Sequence, residues 1–230
     1  DVQTGPELVG PASQEFSYYS PPSPTPGATV QEIVSGFLTA GTGPQNDYSV
    51  AREYLSEDFA RRWQPSAETL IRAGSPNFLD STGTIQLVDV NAVAYLDENG
   101  RYADVSPAQS RTLRFQMIRE DGEWRISQAP NLTVVTQPVF SVVFSEFPVY
   151  FVDSRLQSLV PDLRWFPSRS STPTQLVTAL LDGPSSWLAP GVTSAIPEAT
   201  GLTINAVSVE AGVARVDFDA NALAADTEQR

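Results

Sequence analysis

Apolar positions first recur at helical spacing. Val30, Ile33, Val34, Phe37 and Leu38 fall on one face, and Thr29 with Glu32 has the spacing of a capping box at the start of that face. Gly41 and Gly43 mark its end. Burying those five side chains contributes on the order of 8 to 15 kcal/mol before ordering entropy is subtracted, so the predicted helix needs a wide apolar support such as a sheet. A second helical stretch runs from Ser49 to Leu55 with Ala51, Tyr54 and Leu55 on one side, and Ser56 restarts the pattern through Phe59, Ala60 and Trp63.

The period then shortens to two. From Gly83 to Leu96 the apolar positions are Val88, Val90, Ala92 and Ala94, and Leu87, out of phase with them, predicts a bulge. Asp97-Glu98-Asn99-Gly100 turns the chain. Leu113, Phe115 and Met117 alternate with Arg114 and Gln116, Asp121-Gly122 makes a tight hairpin, and Trp124 and Ile126 alternate with Arg125 and Ser127. The expected class is α+β, with helices followed by a curved antiparallel meander. That order, ending in Gly122-Glu123-Trp124-Arg125-Ile126, resembles the cone of nuclear-transport-factor-like and ketosteroid-isomerase-like proteins. Leu132 to Phe144 holds no charged residue and reads as an inter-domain strand or short helix.

A second α+β domain follows from residue 145. Thr172 is the expected N-cap of a helix with Pro173 at N1 and Gln175 at N3; it presents Leu176, Val177, Leu180 and Leu181 and stops at Gly183-Pro184. Leu202-Thr203-Ile204 and two strands about Glu210-Ala211-Gly212 are expected to extend a sheet, the last strand being Val213 to Phe218. A helix begins after Asp219 but has no room to bury a full face by Arg230, so this domain is expected to be cut short. Three segments result: a tether at 1–28, a cone-like domain at 29–144 and a second domain at 145–230.

Composition alters this picture at three points. Residues 1–28 carry Pro6, Pro11, Pro21, Pro22, Pro24 and Pro26, which disfavour helix and sheet; fully extended as polyproline II they reach roughly 85 Å. Phe16, Tyr18 and Tyr19 within them read either as packed onto a domain or as an exposed docking peptide. A formal net charge of -13, with all 14 basic residues Arg, argues against nucleic acid and anionic lipid and suits a basic partner surface. The absence of His and Cys removes the commonest general base, thiolate nucleophiles and zinc-thiolate sites. No apolar run approaches the ~20 residues of a membrane span, and a start at Asp1 without a targeting segment reads as a mature or trimmed form.

Tyr150-Phe151-Val152-Asp153, Leu159-Val160-Pro161-Asp162, Ala179-Leu180-Leu181-Asp182-Gly183-Pro184, Ile196-Pro197 and Val213-Ala214-Arg215-Val216-Asp217-Phe218 together resemble the GerMN domain of bacterial envelope and spore proteins. With the Pro-rich segment and the cone-like domain before it, nearly the whole chain resembles LpqB-type actinobacterial lipoproteins. That resemblance implies a lipidated Cys upstream of Asp1, a place on the extracytoplasmic face of the cell membrane, and modulation of an MtrB-type two-component sensor kinase through its outer domain. Contact with the cell wall is a further implication. Members usually complete the GerMN domain and continue into a β-propeller, which this sequence does not contain.

Candidate chemistry is sparse. Asp80, Asp89, Tyr95, Tyr102 and Asp104 are the available counterparts of the Asp base and hydrogen-bond donors of catalytic cones, but their spacing matches no catalytic pattern, and no enzymatic role is expected. No nucleophile elbow, phosphate loop or dinucleotide fingerprint occurs. The Asp97-Glu98-Asn99-Gly100 turn lacks the ligand count of a calcium site, so neither metal nor cofactor is expected, and the sequon Asn131-Leu132-Thr133 is set aside. Arg164, Trp165, Phe166, Arg169 and Trp187 are of the types enriched at interaction hot spots and are the candidate partner-binding residues, with core packing the plainer alternative. The expected function is protein binding without catalysis; the alternative is a small-molecule or cell-wall glycan receptor built on the cone-like or GerMN domain.

Overall fold

In the computed structural model, which describes residues 21–80 and 83–224, the first helix forms where its cap signals place it. α1 (Val30–Ala40) starts at Thr29, whose hydroxyl accepts from the Glu32 amide at 3.3 Å while the Glu32 carboxylate accepts from the Thr29 amide at 2.8 Å. The Thr29 amide and the Thr29 hydroxyl each donate to the Glu32 carboxylate at 2.8 Å, which favours the ionised acid and holds the Glu32 pKa below its ordinary value. α2 (Ser49–Arg52) and α3 (Glu57–Arg62), the latter capped by Ser56, complete the helical layer. Residues 1–20, with Phe16, Tyr18 and Tyr19, lie outside the described residues.

The fold is α+β. The helices lie in the hollow of a curled five-stranded sheet ordered β4-β3-β2-β1-β5, made of β1 (Glu68–Phe78), β2 (Ile85–Asp97), β3 (Tyr102–Glu120), β4 (Glu123–Gln128) and β5 (Thr133–Thr136). Neighbours are antiparallel except β1 and β5. Phe37 meets Trp63 and Phe115 at ring-centre distances of 5.0 and 6.1 Å, and Met117, Ile126 and Leu113 close the same core.

The bulge expected at Leu87 does not form, because Leu87 pairs in register with Arg114 and the buried residue beside it is Gln86. The Gln86 side-chain amide donates to the carbonyls of Leu79 and Leu87 at 2.7 and 2.9 Å, which satisfies a polar group inside the core. The real irregularity is at Val93. Ile71 pairs with Ala94 and Arg72 with Ala92, so Val93 is an extra residue on β2. It turns the strand over: Val88, Val90 and Ala92 face the helices, whereas Ala94 and Leu96 enter a second cluster with Ile71, Val135, Phe140, Val143 and Phe144.

The uncharged stretch from Leu132 supplies both β5 and α4 (Gln137–Val143), and α4 covers that second cluster. β6 (Phe144–Asp153) begins one residue before the boundary placed at 145 and pairs with β7 (Leu159–Pro167) and with two-residue β8 (Val192–Thr193). α5 (Thr172–Leu181) packs on this sheet, but its N-cap is Ser171. Thr172 is buried instead, its hydroxyl donating to the Pro167 carbonyl at 2.8 Å and accepting from the Arg169 amide at 3.0 Å, so the expected capping oxygen is already engaged. β9 (Ser208–Glu210) and β10 (Val213–Arg215) form a separate exposed hairpin and do not extend the sheet, where β6 already has a neighbour on each side. Leu202 makes only an isolated bridge with Phe218, and the helix expected after Asp219 is a short 3-10 turn at 220–224.

Candidate functional site: an aromatic groove at the seam of the two sheets

The seam arises from an inversion on β7. Period two puts Asp162, Arg164 and Phe166 on one face and Leu159, Pro161 and Leu163 on the other, and the charged set is the buried one. Across β6 the register pairs Pro148 with Leu163, Tyr150 with Pro161 and Val152 with Leu159, so an apolar sheet face stays exposed while Val149 and Phe151 face inward.

The buried Asp162 carboxylate is matched on both oxygens, whereas Arg164 is held through Nη2 alone and its Nε and Nη1 have no hydrogen-bond partner among the described residues. Arg164, at 0% exposure, donates to Asp162 at 2.7 Å and to the Gly183 carbonyl at 3.0 Å, and Asp162 also accepts from the Ser185 amide and hydroxyl at 2.7 and 2.9 Å. Burial lowers the Arg164 pKa and the charge of Asp162 opposes that. From the first domain, Arg101 reaches the same turn, bonding Asp182 at 2.6 Å, the Gly183 carbonyl at 3.1 Å and Asp97 at 3.3 Å. Burial works to lower the Arg101 pKa, but the hydrogen bonds to Asp182 and Asp97 outweigh it and the pKa rises. Two arginines from two domains thus hold one carbonyl.

Gly100 is where the sheets touch. Its φ of +72° suits glycine, its carbonyl accepts from the Trp165 amide at 2.9 Å, and a Cβ there would sit 2.8 Å from both the Phe166 ring and the Trp165 carbonyl oxygen. The preceding turn is closed by the Asp97 carboxylate, which accepts from the amides of Asn99 and Arg101 at 3.0 and 2.8 Å. On the far side of the seam Arg169 donates to Ser66 at 2.9 Å and lies 5.6 Å from the Tyr48 ring centre, beside a cavity of about 530 Å³. On the near side opens a groove of about 590 Å³, walled by Tyr95, Tyr102 and Ala103 from the first domain and by Leu163, Trp165 and Trp187 from the second.

The five candidate binding residues therefore separate. Arg164 and Phe166 are buried and offer no surface; this corrects the expectation, and the cause is the inverted parity of β7. Trp165 is half-buried with its ring 5.2 Å from that of Phe140, and Arg169 is half-buried on Ser66 and Tyr48. Trp187 stands 74% exposed at the groove. Of the residues weighed for catalysis, Tyr95 and Tyr102 line the groove and the Tyr102 hydroxyl donates to Asp104 at 3.1 Å. Asp89 accepts from the Thr112 hydroxyl along β2, and Asp80 is exposed beyond β1, so the five do not converge. Leu163 and Tyr150 carried a signal that the sequence reading passed over: apolar residues on the same strand face as prolines 148 and 161.

The hollow of the curled sheet, where a receptor pocket was the alternative, is filled by Phe37, Trp63, Phe115 and Met117. A cavity of about 350 Å³ lies at its edge between α1, β1 and β5. Among the described residues no cluster of three or more acidic, His or Cys side chains is arranged to hold a metal, and no helix is long and apolar enough to cross a membrane.

Comparison with known proteins adds the family context. A family model described as the N-terminal domain of lipoprotein LpqB matches residues 23–141, and one described as sporulation and spore germination matches residues 148–230. The chain is 33% identical over 222 residues to lipoprotein LpqB of Cutibacterium acnes, covering 95% of this chain and 37% of that protein. The corresponding protein of Bifidobacterium longum is 29% identical over 97% of this chain and 41% of its own length, and that of Thermobifida fusca 30% identical over 92% and 35%. The chain thus spans about two fifths of the length of these relatives. No solved structure matches.

Proposed function

The chain belongs to the LpqB lipoprotein family, and on that footing we propose that it acts without catalysis, by binding another protein at the extracytoplasmic face of the cell membrane. The anchor in this reading is a lipidated Cys upstream of Asp1, and the partner is the outer domain of an MtrB-type sensor kinase. The observation that carries it is the groove at the seam, where Trp187, Tyr95, Tyr102 and Leu163 present large side chains to solvent between two sheets joined by hydrogen bonds from Arg101 and Trp165. Exposed aromatics of this kind are the usual anchors of protein interfaces, and contiguous apolar surface on a soluble domain commonly marks one. A sequence without His or Cys agrees with the absence of a catalytic step.

The test is a calorimetric titration of this chain against the kinase outer domain, alone and with the part of the lipoprotein that follows it in its relatives. Binding that falls about thirtyfold in Trp187→Ala supports the reading, since an aromatic hot spot is worth about 2 kcal/mol. No binding by either form sinks the kinase partner.

A second reading has an observation of its own: aromatic faces beside Ser186 and Asp97 also suit a sugar ring, which stacks and hydrogen-bonds at once. Titration with soluble cell-wall fragments separates the two. Saturable binding lost in Trp187→Ala, with none to the kinase domain, favours the glycan.

A further inference from the structure

The groove lies between two strand edges that lack partners. β3 pairs with β4 only through Gln116–Glu120, so from Tyr102 to Phe115 its outer edge has no strand partner among the described residues. β7 pairs with β6 on one side, and its other edge makes a single backbone bond, from the Trp165 amide to Gly100.

The phase of that free edge follows from two facts. Pro148 has no N–H to give across the ladder and Trp165 directs its own N–H away from β6, so the Pro148–Leu163 and Glu146–Trp165 pairs are those that exchange no hydrogen bonds. The amide and carbonyl of Leu163 and the carbonyl of Pro161 consequently point outward, into the space whose opposite wall is Tyr102 and Ala103 of β3. Unsatisfied edges of this kind are templates for another strand. The two edges touch at Gly100 and Trp165, leaving the groove of about 590 Å³ between them.

We infer that this groove is a strand-addition site, in which an extended segment of a partner protein inserts between β7 and β3. The segment places alternate side chains toward Trp165 and Tyr102, whose rings lie 5.2 and 5.8 Å from that of Phe140, on one face and toward Tyr95 on the other, with Trp187 exposed at the groove. It carries a Lys or Arg. Around the groove stand Asp97, Asp104, Asp162 and Asp182 against only Arg101 and Arg164, which are already paired with three of those acids. Asp104 is left with the Tyr102 hydroxyl alone, exposed next to an aromatic face, and the whole chain carries a net charge of -13. A cation is attracted by both the carboxylate and the ring.

The inference rests on the protein-binding reading above and specifies its mode. Its experiment is a selection of displayed random 12-residue peptides on the full chain, followed by synthesis of the enriched sequence and an N-methyl scan of its amides. The expected enrichment has apolar residues at every second position and at least one basic residue. N-methylation at alternate positions weakens binding about five- to tenfold each, as for loss of a backbone hydrogen bond, and the intervening positions tolerate it. Leu163→Pro removes the outward amide at a position where the strand tolerates proline and weakens the peptide by a similar factor; the N-methyl scan reads the same bond from the other side should that variant fail to fold.

Helical spacing in the enriched peptides, indifference to N-methylation, an empty selection, or a cell-wall fragment that occupies the groove and that no peptide displaces would each overturn the inference. The two readings fail separately. Kinase-domain binding that survives Trp187→Ala and is not displaced by the selected peptide removes the strand-addition site and leaves the adaptor. Peptides that dock as described while the kinase domain does not bind remove that partner and leave the site.

Discussion

The two sheets of this protein treat their faces differently. The five-stranded sheet covers its hollow face with α1, α2 and α3, and where β2 turns over at Val93 it also covers the opposite face with α4 and Trp165. The three-stranded sheet covers one face only: Val149, Phe151 and Phe166 lie inward, while Tyr150, Leu159 and Leu163 remain open to solvent. Both regions are rich in apolar residues, so hydrophobic content does not distinguish them. What differs is what fills the inner positions. The first sheet inserts Phe and Val there, whereas β7 inserts an Asp162–Arg164 ion pair. An interior that holds charge leaves apolar side chains of the same strand outside. The first region is a framework and the second a presented surface.

Phe37→Ala tests the framework at its centre and has the largest expected effect. It removes a ring in contact with Trp63 and Phe115 and leaves a cavity costing about 3 to 5 kcal/mol in chemical denaturation. Leu163→Ala on the open face is the matched control, with an expected change below about 0.5 kcal/mol. Equal losses at the two sites would erase the distinction.

Asp162→Ala comes next, at about 3 to 4 kcal/mol, because it strands the guanidinium of Arg164 in the interior and leaves the Ser185 amide without an acceptor. Replacing Arg164 by Met in the same chain is expected to recover roughly 1 kcal/mol or more, since the stranded charge is then gone. A double-mutant cycle measures it; additive losses would mean that the pair does not act as one unit.

These two sites also mark how far the sequence can be read. Thr29 and Glu32, the hairpin at Asp121-Gly122 and the period of Leu113, Phe115 and Met117 are local signals, and local signals specify α1, β3 and β4. β1 carries no clean local signal, since Gly74 and Pro76 interrupt it and the strand absorbs them at a register shift between Ala73 and Asn77. The turnover at Val93 is invisible in the alternation of β2, since even-numbered residues are buried on both sides of it. The groove was legible only in its ingredients. Trp187, Tyr95 and Tyr102 stood out as residue types, but what separates Trp187 from buried Phe166 is the parity of β7, and an Asp-x-Arg pair facing inward runs against the ordinary assumption that charge faces water.

Tyr48 links the two regions through a proton. Burial raises its pKa from the ordinary 10.0 to about 12, against the opposing charge of Arg169 from the second domain. A raised pKa in the fold means that the unfolded chain ionises first, so this contribution is intact below pH 10 and is lost as pH rises from about 10 to 12. The difference between the wild type and Tyr48→Phe in that window is expected to reach about 2 to 3 kcal/mol. Parallel denaturation curves for the two proteins through pH 12 would show Tyr48 to be in water, and the seam beside it open.

Trp187→Ala has the smallest expected effect on folding and the sharpest bearing on the comparison. The ring stands 74% exposed just after the Gly183-Pro184-Ser185 turn that Arg101, Arg164 and Asp162 clamp, so its removal opens no cavity, breaks no hydrogen bond of that clamp and is expected to change stability by less than about 0.5 kcal/mol. The same change is expected to cost about 2 kcal/mol of partner binding. A side chain that is dispensable to the fold and indispensable to the complex is what a presented surface requires, whereas a framework residue such as Phe37 shows the reverse balance. A loss of stability above about 1 kcal/mol in Trp187→Ala would instead place this ring in the packing of the second domain and return the exposed face to the status of an unfinished core.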